Sequence, residues 1–256
     1  MKFTDGYWQA LPGVTILRPQ AVDDVVVDGE TLTVYSATGP LDMRGDTLNR
    51  PLITVSFHTP MDDVLGVTIE HFHGGLDRGP SFEIATSLAD VKVAGPDLTG
   101  EQLAMFRSGA LTARVATEGE WNVDFVADGR VLTTSTVRSV GVITDADGRH
   151  FVREQLALGV GEHVYGLGER FGALVKNGQT VDIWNADGGT ASEQAYKNVP
   201  FYLTDAGYGV FVDQPERVSF EVGTEVVSRT QFSVEGQSLR YYVIYGPTPK
   251  DILRKL

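Results

Sequence analysis

The chain contains no cysteine among its 256 residues. That excludes disulfides, thiolate metal sites and thiol catalysis. No stretch approaches the run of about eighteen apolar residues that a membrane-spanning helix needs. The N-terminal residues Met1-Lys2-Phe3-Thr4-Asp5-Gly6 carry one Lys and no apolar segment of the kind a signal peptide requires. These absences lead to the expectation of a cytoplasmic protein. Basic residues are scarce, 21 Lys and Arg against 34 Asp and Glu, for a formal net charge of −13. A nucleic-acid backbone or an anionic membrane needs a basic surface, so neither is an expected partner. Helical periodicity is nearly missing as well.

What is present is a succession of short alternating segments. A hydrophobic fraction of 42% with 21% charged residues is an ordinary globular balance. Ile53, Val55 and Phe57 alternate with Thr54, Ser56 and His58, the period of a half-buried strand that Pro60 is expected to stop. Trp121, Val123 and Phe125 alternate with Asn122 and Asp124 in the same way. Asp28-Gly29, Asp128-Gly129 and Asp147-Gly148 are turn dipeptides between apolar runs, so each predicts a hairpin. Short strands separated by frequent turns predict an all-β antiparallel sandwich and not a βαβ fold. The clearest helix start is Thr248-Pro249, a cap followed by proline at the first helical position. Leu256 falls about two turns later by helical spacing, so the chain is expected to be a truncated piece of a longer one.

Several stretches invite a chemical reading. His71 and His73, beside Glu70, stand on one face of a strand, where two imidazoles could share a metal; no third ligand has convincing spacing, so none is expected. Gly166-x-Gly168-x-x-x-Gly172 is one residue too long for a dinucleotide loop and no helix follows, so a tight bend with Glu169 and Arg170 paired to neighbours is expected. No Gly-x-Ser-x-Gly elbow exists for a serine nucleophile. Asp23-Asp24 and Asp62-Asp63 read as solvated turns. Trp184-Asn185-Ala186-Asp187-Gly188-Gly189 offers an aromatic face, an amide and a carboxylate, the groups a sugar ring needs. Its residues alone leave a second reading open, an Asx-type turn with Trp184 in the core.

The segment from Gly161 to Phe201 resembles the N-terminal domain of glycoside hydrolase family 31, most closely that of bacterial α-xylosidases. The likeness is carried by Tyr165-Gly166-Leu167-Gly168-Glu169-Arg170-Phe171, Asn177-Gly178-Gln179-Thr180, Trp184-Asn185, Asp187-Gly188-Gly189-Thr190 and Glu193-Gln194-Ala195-Tyr196-Lys197-Asn198. Pro200-Phe201-Tyr202 and Gly207-Tyr208-Gly209-Val210 continue it. Met1-Lys2, Asp5-Gly6, Trp8, Ile69-Glu70-His71-Phe72 and Gly246-Pro247-Thr248-Pro249-Lys250 extend it over essentially the whole chain.

The resemblance implies a large antiparallel β-sandwich of the galactose-mutarotase-like, supersandwich type over residues 1–245. Residues 246–256 would begin a linker helix to a (β/α)8 barrel. In such enzymes the nucleophile and the acid/base are aspartates of the barrel, and the reaction proceeds with retention through a covalent glycosyl-enzyme intermediate. No catalytic residue is therefore expected in this chain, and no cofactor or metal. The N-terminal domain of the family contributes a loop that touches the sugar in the −1 subsite. By motif match its substrate-binding carboxylate would be Asp187, with Trp184 and Asn185 supporting the loop. The implied partner is an α-xyloside or α-glucoside oligosaccharide, bound by a full-length homo-oligomeric enzyme. The same domain of an α-glucosidase and a stand-alone carbohydrate-binding module are the alternatives.

Overall fold

A computed structural model describes residues 1–6, 9–71, 102–186 and 192–256. Among them lie eighteen strands and two short helices, and every strand pairing is antiparallel. Neither helix is long or apolar enough to cross a membrane.

The strands form three sheets. An eight-stranded sheet runs, in spatial order, Val164–Gly166, Phe201–Thr204, Tyr208–Val212, Ser238–Tyr245, Val64–Glu70, Leu52–Met61, Thr31–Ala37 and Asp24–Asp28. A six-stranded sheet runs Thr15–Leu17, Gly141–Thr144, His150–Ala157, Arg229–Glu235, Val218–Val222 and Gln179–Ile183. Leu103–Ser108, Leu111–Ala116, Asn122–Ala127 and Arg130–Thr136 make a four-stranded meander. One continuous core joins all three, with Val55, Phe57 and Val67 from the first, Val152, Phe220 and Phe232 from the second, and Phe106, Val115 and Phe125 from the third. Burying these inner faces against each other is what holds the sandwich together.

Alternation in the sequence maps onto this core. Ile53, Val55 and Phe57 are buried while Thr54, Ser56 and His58 are only partly so, and Trp121, Val123 and Phe125 are buried in the meander. The Asp128-Gly129 hairpin forms with both turn residues at positive φ, 49° and 72°, as a type I′ turn requires. At the first hairpin Asp28 pairs with Thr31, so the two loop residues are Gly29 and Glu30.

Pro60 does not stop its strand. The ladder shifts register between His58 and Met61, so Thr59 and Pro60 together oppose Leu65. In such a bulge the proline is not asked for the N–H it lacks. The helix at the C-terminal end, Pro249–Leu253, begins as expected, with the Thr248 side chain accepting from the Asp251 N–H. It covers the outer face of the eight-stranded sheet, where Ile252 packs with Val64, Phe201, Tyr242 and Ile244.

The outer face of the six-stranded sheet is polar yet covered. Arg153, Gln155, Gln231, Ser233, Ser219 and Glu221 occupy paired positions on that face and are all buried. The N-terminal segment lies over them. Glu225 accepts hydrogen bonds from the backbone of Phe3 at 3.0 Å and Thr4 at 3.1 Å, and Gln231 Nε2 donates to the Met1 carbonyl at 2.9 Å. Phe3 then closes an apolar satellite with Ile143 and Phe151.

Candidate carbohydrate-contacting segment

The segment from Val164 to Phe201 joins the two large sheets. It leaves the eight-stranded sheet at Val164–Gly166, enters the six-stranded sheet at Gln179–Ile183 and returns at Phe201–Thr204. Its first feature is a bend in which Gly166, Leu167 and Gly168 all have positive φ, at 109°, 65° and 84°. A β-carbon on Gly168 would stand 2.8 Å from Val199 N and 2.9 Å from the Asn198 Cα, so only glycine lets the two chains approach this closely. Leu167 is non-glycine in the left-handed region, a strained choice held by its fully buried side chain and by its N–H donating to the Phe201 carbonyl at 2.8 Å. No helix follows the bend; the next element is the strand Gln179–Ile183.

Glu169 and Arg170 pair with neighbours in different ways. Glu169 meets Lys197 at 2.8 Å in a solvent-exposed ion pair. Arg170 turns inward to backbone carbonyls. Its Nε donates to Leu167 O at 3.0 Å, Nη1 to Glu193 O at 3.0 Å and Nη2 to Asp182 O at 2.5 Å. Nη2 also donates to Asn198 Oδ1. Partial burial lowers the Arg170 pKa from its ordinary value, opposed by the carboxylates of Asp182 and Glu193.

Asn185 sits where the chain leaves the strand. Its Oδ1 accepts from Asn198 Nδ2 at 3.0 Å and from Asn198 N at 3.2 Å. Ala186 N donates to Ala195 O at 3.0 Å, beside an isolated bridge between Asn185 and Ala195. Trp184 differs: the residue is 55% exposed, so it is not a core residue. Phe171, Leu174, Tyr196 and Val199 are also exposed. Asp187 lies outside the described residues.

The other sequence candidates resolve into structural roles. His71 Nδ1 is 2.8 Å from Gln237 Oε1 across the sheet, and His73 lies outside the described residues. Among the described residues no group of three or more His, Cys, Asp or Glu could hold a metal ion. Asp63 is in a turn but is not simply solvated: it accepts from Ala110 N at 2.6 Å and Lys255 Nζ at 2.8 Å, tying the C-terminal helix to the meander. Asp23 likewise caps a backbone N–H, that of Ala37.

The residue that motif reading did not single out is Glu154. It is buried on the core side of the six-stranded sheet, accepting from Ser135 Oγ at 3.0 Å and Tyr241 Oη at 3.2 Å. Burial pushes its carboxyl up to about 7, against the pull of those hydrogen bonds. A charged residue flanked by Arg153 and Gln155 carries no sequence signal that one of the three faces the core.

Comparison with known proteins places this geometry. Residues 52–221 match the glycosyl hydrolase 31 N-terminal galactose mutarotase-like domain. The chain is 44% identical over its whole length to alpha-xylosidase XylQ of Lactiplantibacillus pentosus, covering 33% of that protein. It is 40% identical to an alpha-xylosidase of Emericella nidulans, with 100% of this chain and 35% of that protein aligned. It thus spans about a third of the length of these relatives. A cycloalternan-forming enzyme from Listeria monocytogenes, solved with a pentasaccharide substrate, superposes with a TM-score of 0.72 at 19% identity, over 94% of this chain and 22% of that one. The matched domain covers most of the chain and its sheets are antiparallel, and the chain belongs to the glycosyl hydrolase 31 N-terminal galactose mutarotase-like domain family.

Proposed function

We propose that this chain is the N-terminal, non-catalytic part of a retaining α-xylosidase that releases terminal α-xylosyl residues. The observation that carries the reading is the alignment of two proteins named as alpha-xylosidases along the entire chain. In this reading the bond-breaking carboxylates belong to a barrel beyond Leu256, and this domain supplies two things. One is a loop whose Asp187 hydrogen-bonds the sugar, with Asn185 holding its stem. The other is a brace for the barrel, supported by the exposed Phe171, Leu174, Trp184, Tyr196 and Val199, apolar side chains that a neighbouring domain would cover.

The test compares the full-length gene product with the 256-residue chain. The full-length protein is expected to release nitrophenol from p-nitrophenyl α-xyloside faster than from the α-glucoside, and the chain alone is expected to release none. Preference for the glucoside would reassign the enzyme as an α-glucosidase. Tight xylose binding by the chain alone, in calorimetric titration, would instead support a free-standing carbohydrate-binding module.

A further inference from the structure

We infer that Arg170, acting with Asn198, is a positioning residue that sets the loop bearing Asp187 on the sandwich. The inference rests on the reading of Asp187 as a sugar contact. The bend motif that contains Arg170 gives it only a pairing with neighbours. What singles it out is where its acceptors lie. Asp182 O is on the strand just before Trp184, and Glu193 O is on the segment that returns after the loop. Leu167 O belongs to the bend that anchors both to the eight-stranded sheet. One guanidinium therefore pins the outgoing limb, the returning limb and the base they stand on.

Asn198 extends the clamp. Its Oδ1 accepts a hydrogen bond from Arg170 Nη2, which orients the amide so that Nδ2 donates to Ala195 O at 2.6 Å and to Asn185 Oδ1 at 3.0 Å. The limbs are thus tied a second time, closer to Asp187 in the chain. Only a planar fork of donors reaches carbonyls in these several directions; a lysine ammonium at the same place has three donors on a single nitrogen. All four acceptors of Arg170 lie between residues 167 and 198, so the clamp orders this segment and not the sandwich core.

The experiment is a double-mutant cycle in the full-length protein, reading kcat/KM on p-nitrophenyl α-xyloside with Tm alongside. Arg170→Lys is expected to lower kcat/KM by about tenfold, since small misplacements of a substrate contact are costly in rate. In an Asp187→Ala background it is expected to lower it no further, because residues acting through one another are non-additive. Asn198→Ala, which removes one branch of the clamp, gives a second cycle should the lysine variant fold poorly. Glu169→Gln, which breaks only the exposed ion pair of the same bend, is the control and is expected to leave kcat/KM unchanged. Equal losses in both backgrounds, or no loss from either clamp variant while Asp187→Ala is impaired, would overturn the inference. A neutral Asp187→Ala would instead sink the reading of Asp187, and the inference with it.

Discussion

Arg153 Nη1 lies 3.0 Å from Glu225 Oε1, with the two side chains 2% and 0% exposed. This buried pair is the hub on which the N-terminal segment rests. Glu225 also accepts from Thr4 Oγ1 at 2.6 Å and Gln231 Nε2 at 2.9 Å. Burial lowers the Arg153 pKa to about 10, opposed chiefly by Glu225, so the guanidinium stays charged at neutral pH. Removing one partner strands the other charge without solvent. Glu225→Ala is therefore expected to cost about 3–5 kcal/mol. Urea unfolding measures it, and an unchanged midpoint would contradict the hub.

Glu154 makes stability depend on pH in the direction opposite to a surface-paired carboxylate. Its folded pKa, about 7, stands above the ordinary 4.5. The native state therefore holds a proton that the unfolded chain has released between those values. The resulting stability is complete below the unfolded pKa and is lost as pH rises to the folded one. The span amounts to about 3 kcal/mol, from roughly 1.4 kcal/mol per pKa unit. Glu154→Gln is expected to flatten the fall between pH 5 and 7 when urea midpoints are compared across that range. Parallel profiles for the two proteins would refute the assignment.

Gly168 tests the bend. Alanine there would have to adopt a φ of +84° and press its methyl group on the backbone of Asn198 and Val199. The expected cost is about 1–3 kcal/mol, the range for forced backbone conformations. A thermal melt of Gly168→Ala indistinguishable from wild type would show that the segment can move aside.

Trp184 and Asn185 are neighbours with different structural weight. Asn185→Ala removes one of the two acceptors of the Asn198 amide and the acceptor of the Asn198 backbone N–H, and is expected to cost about 1 kcal/mol. Trp184→Ala removes a side chain that is mostly in solvent, so stability is expected to stay within about 0.5 kcal/mol. Chemical denaturation of both variants decides; a larger loss for Trp184 would assign the ring a packing role that its exposure does not suggest.

Much of this architecture is written locally. The period-two runs around Ile53 and Trp121 place the core-facing side chains, because successive residues on a strand face opposite ways. Asp128-Gly129 tolerates positive φ at both turn positions, and Thr248-Pro249 supplies a cap and a preset φ. Each is a property of two or three adjacent residues, so the sequence by itself determined it. The family resemblance in residues 161–201 is likewise sequence information, since it rests on motifs that survive without coordinates.

Contacts between distant residues were decided only by the tertiary structure. Pro60 reads as a strand end until the partner strand shows a bulge opposite Leu65. Asp63 reads as a turn residue until Lys255 and the Ala110 N–H arrive from elsewhere in the chain. Arg170 reads as a bend residue paired with some neighbour, and only the fold shows that the carbonyls of Asp182 and Glu193 converge on it. The physical reason is common to all three. Alternation, turn chemistry and caps act through the backbone between neighbours, whereas a buried carboxylate or a clamping guanidinium is defined by partners that only the folded chain brings within hydrogen-bond reach.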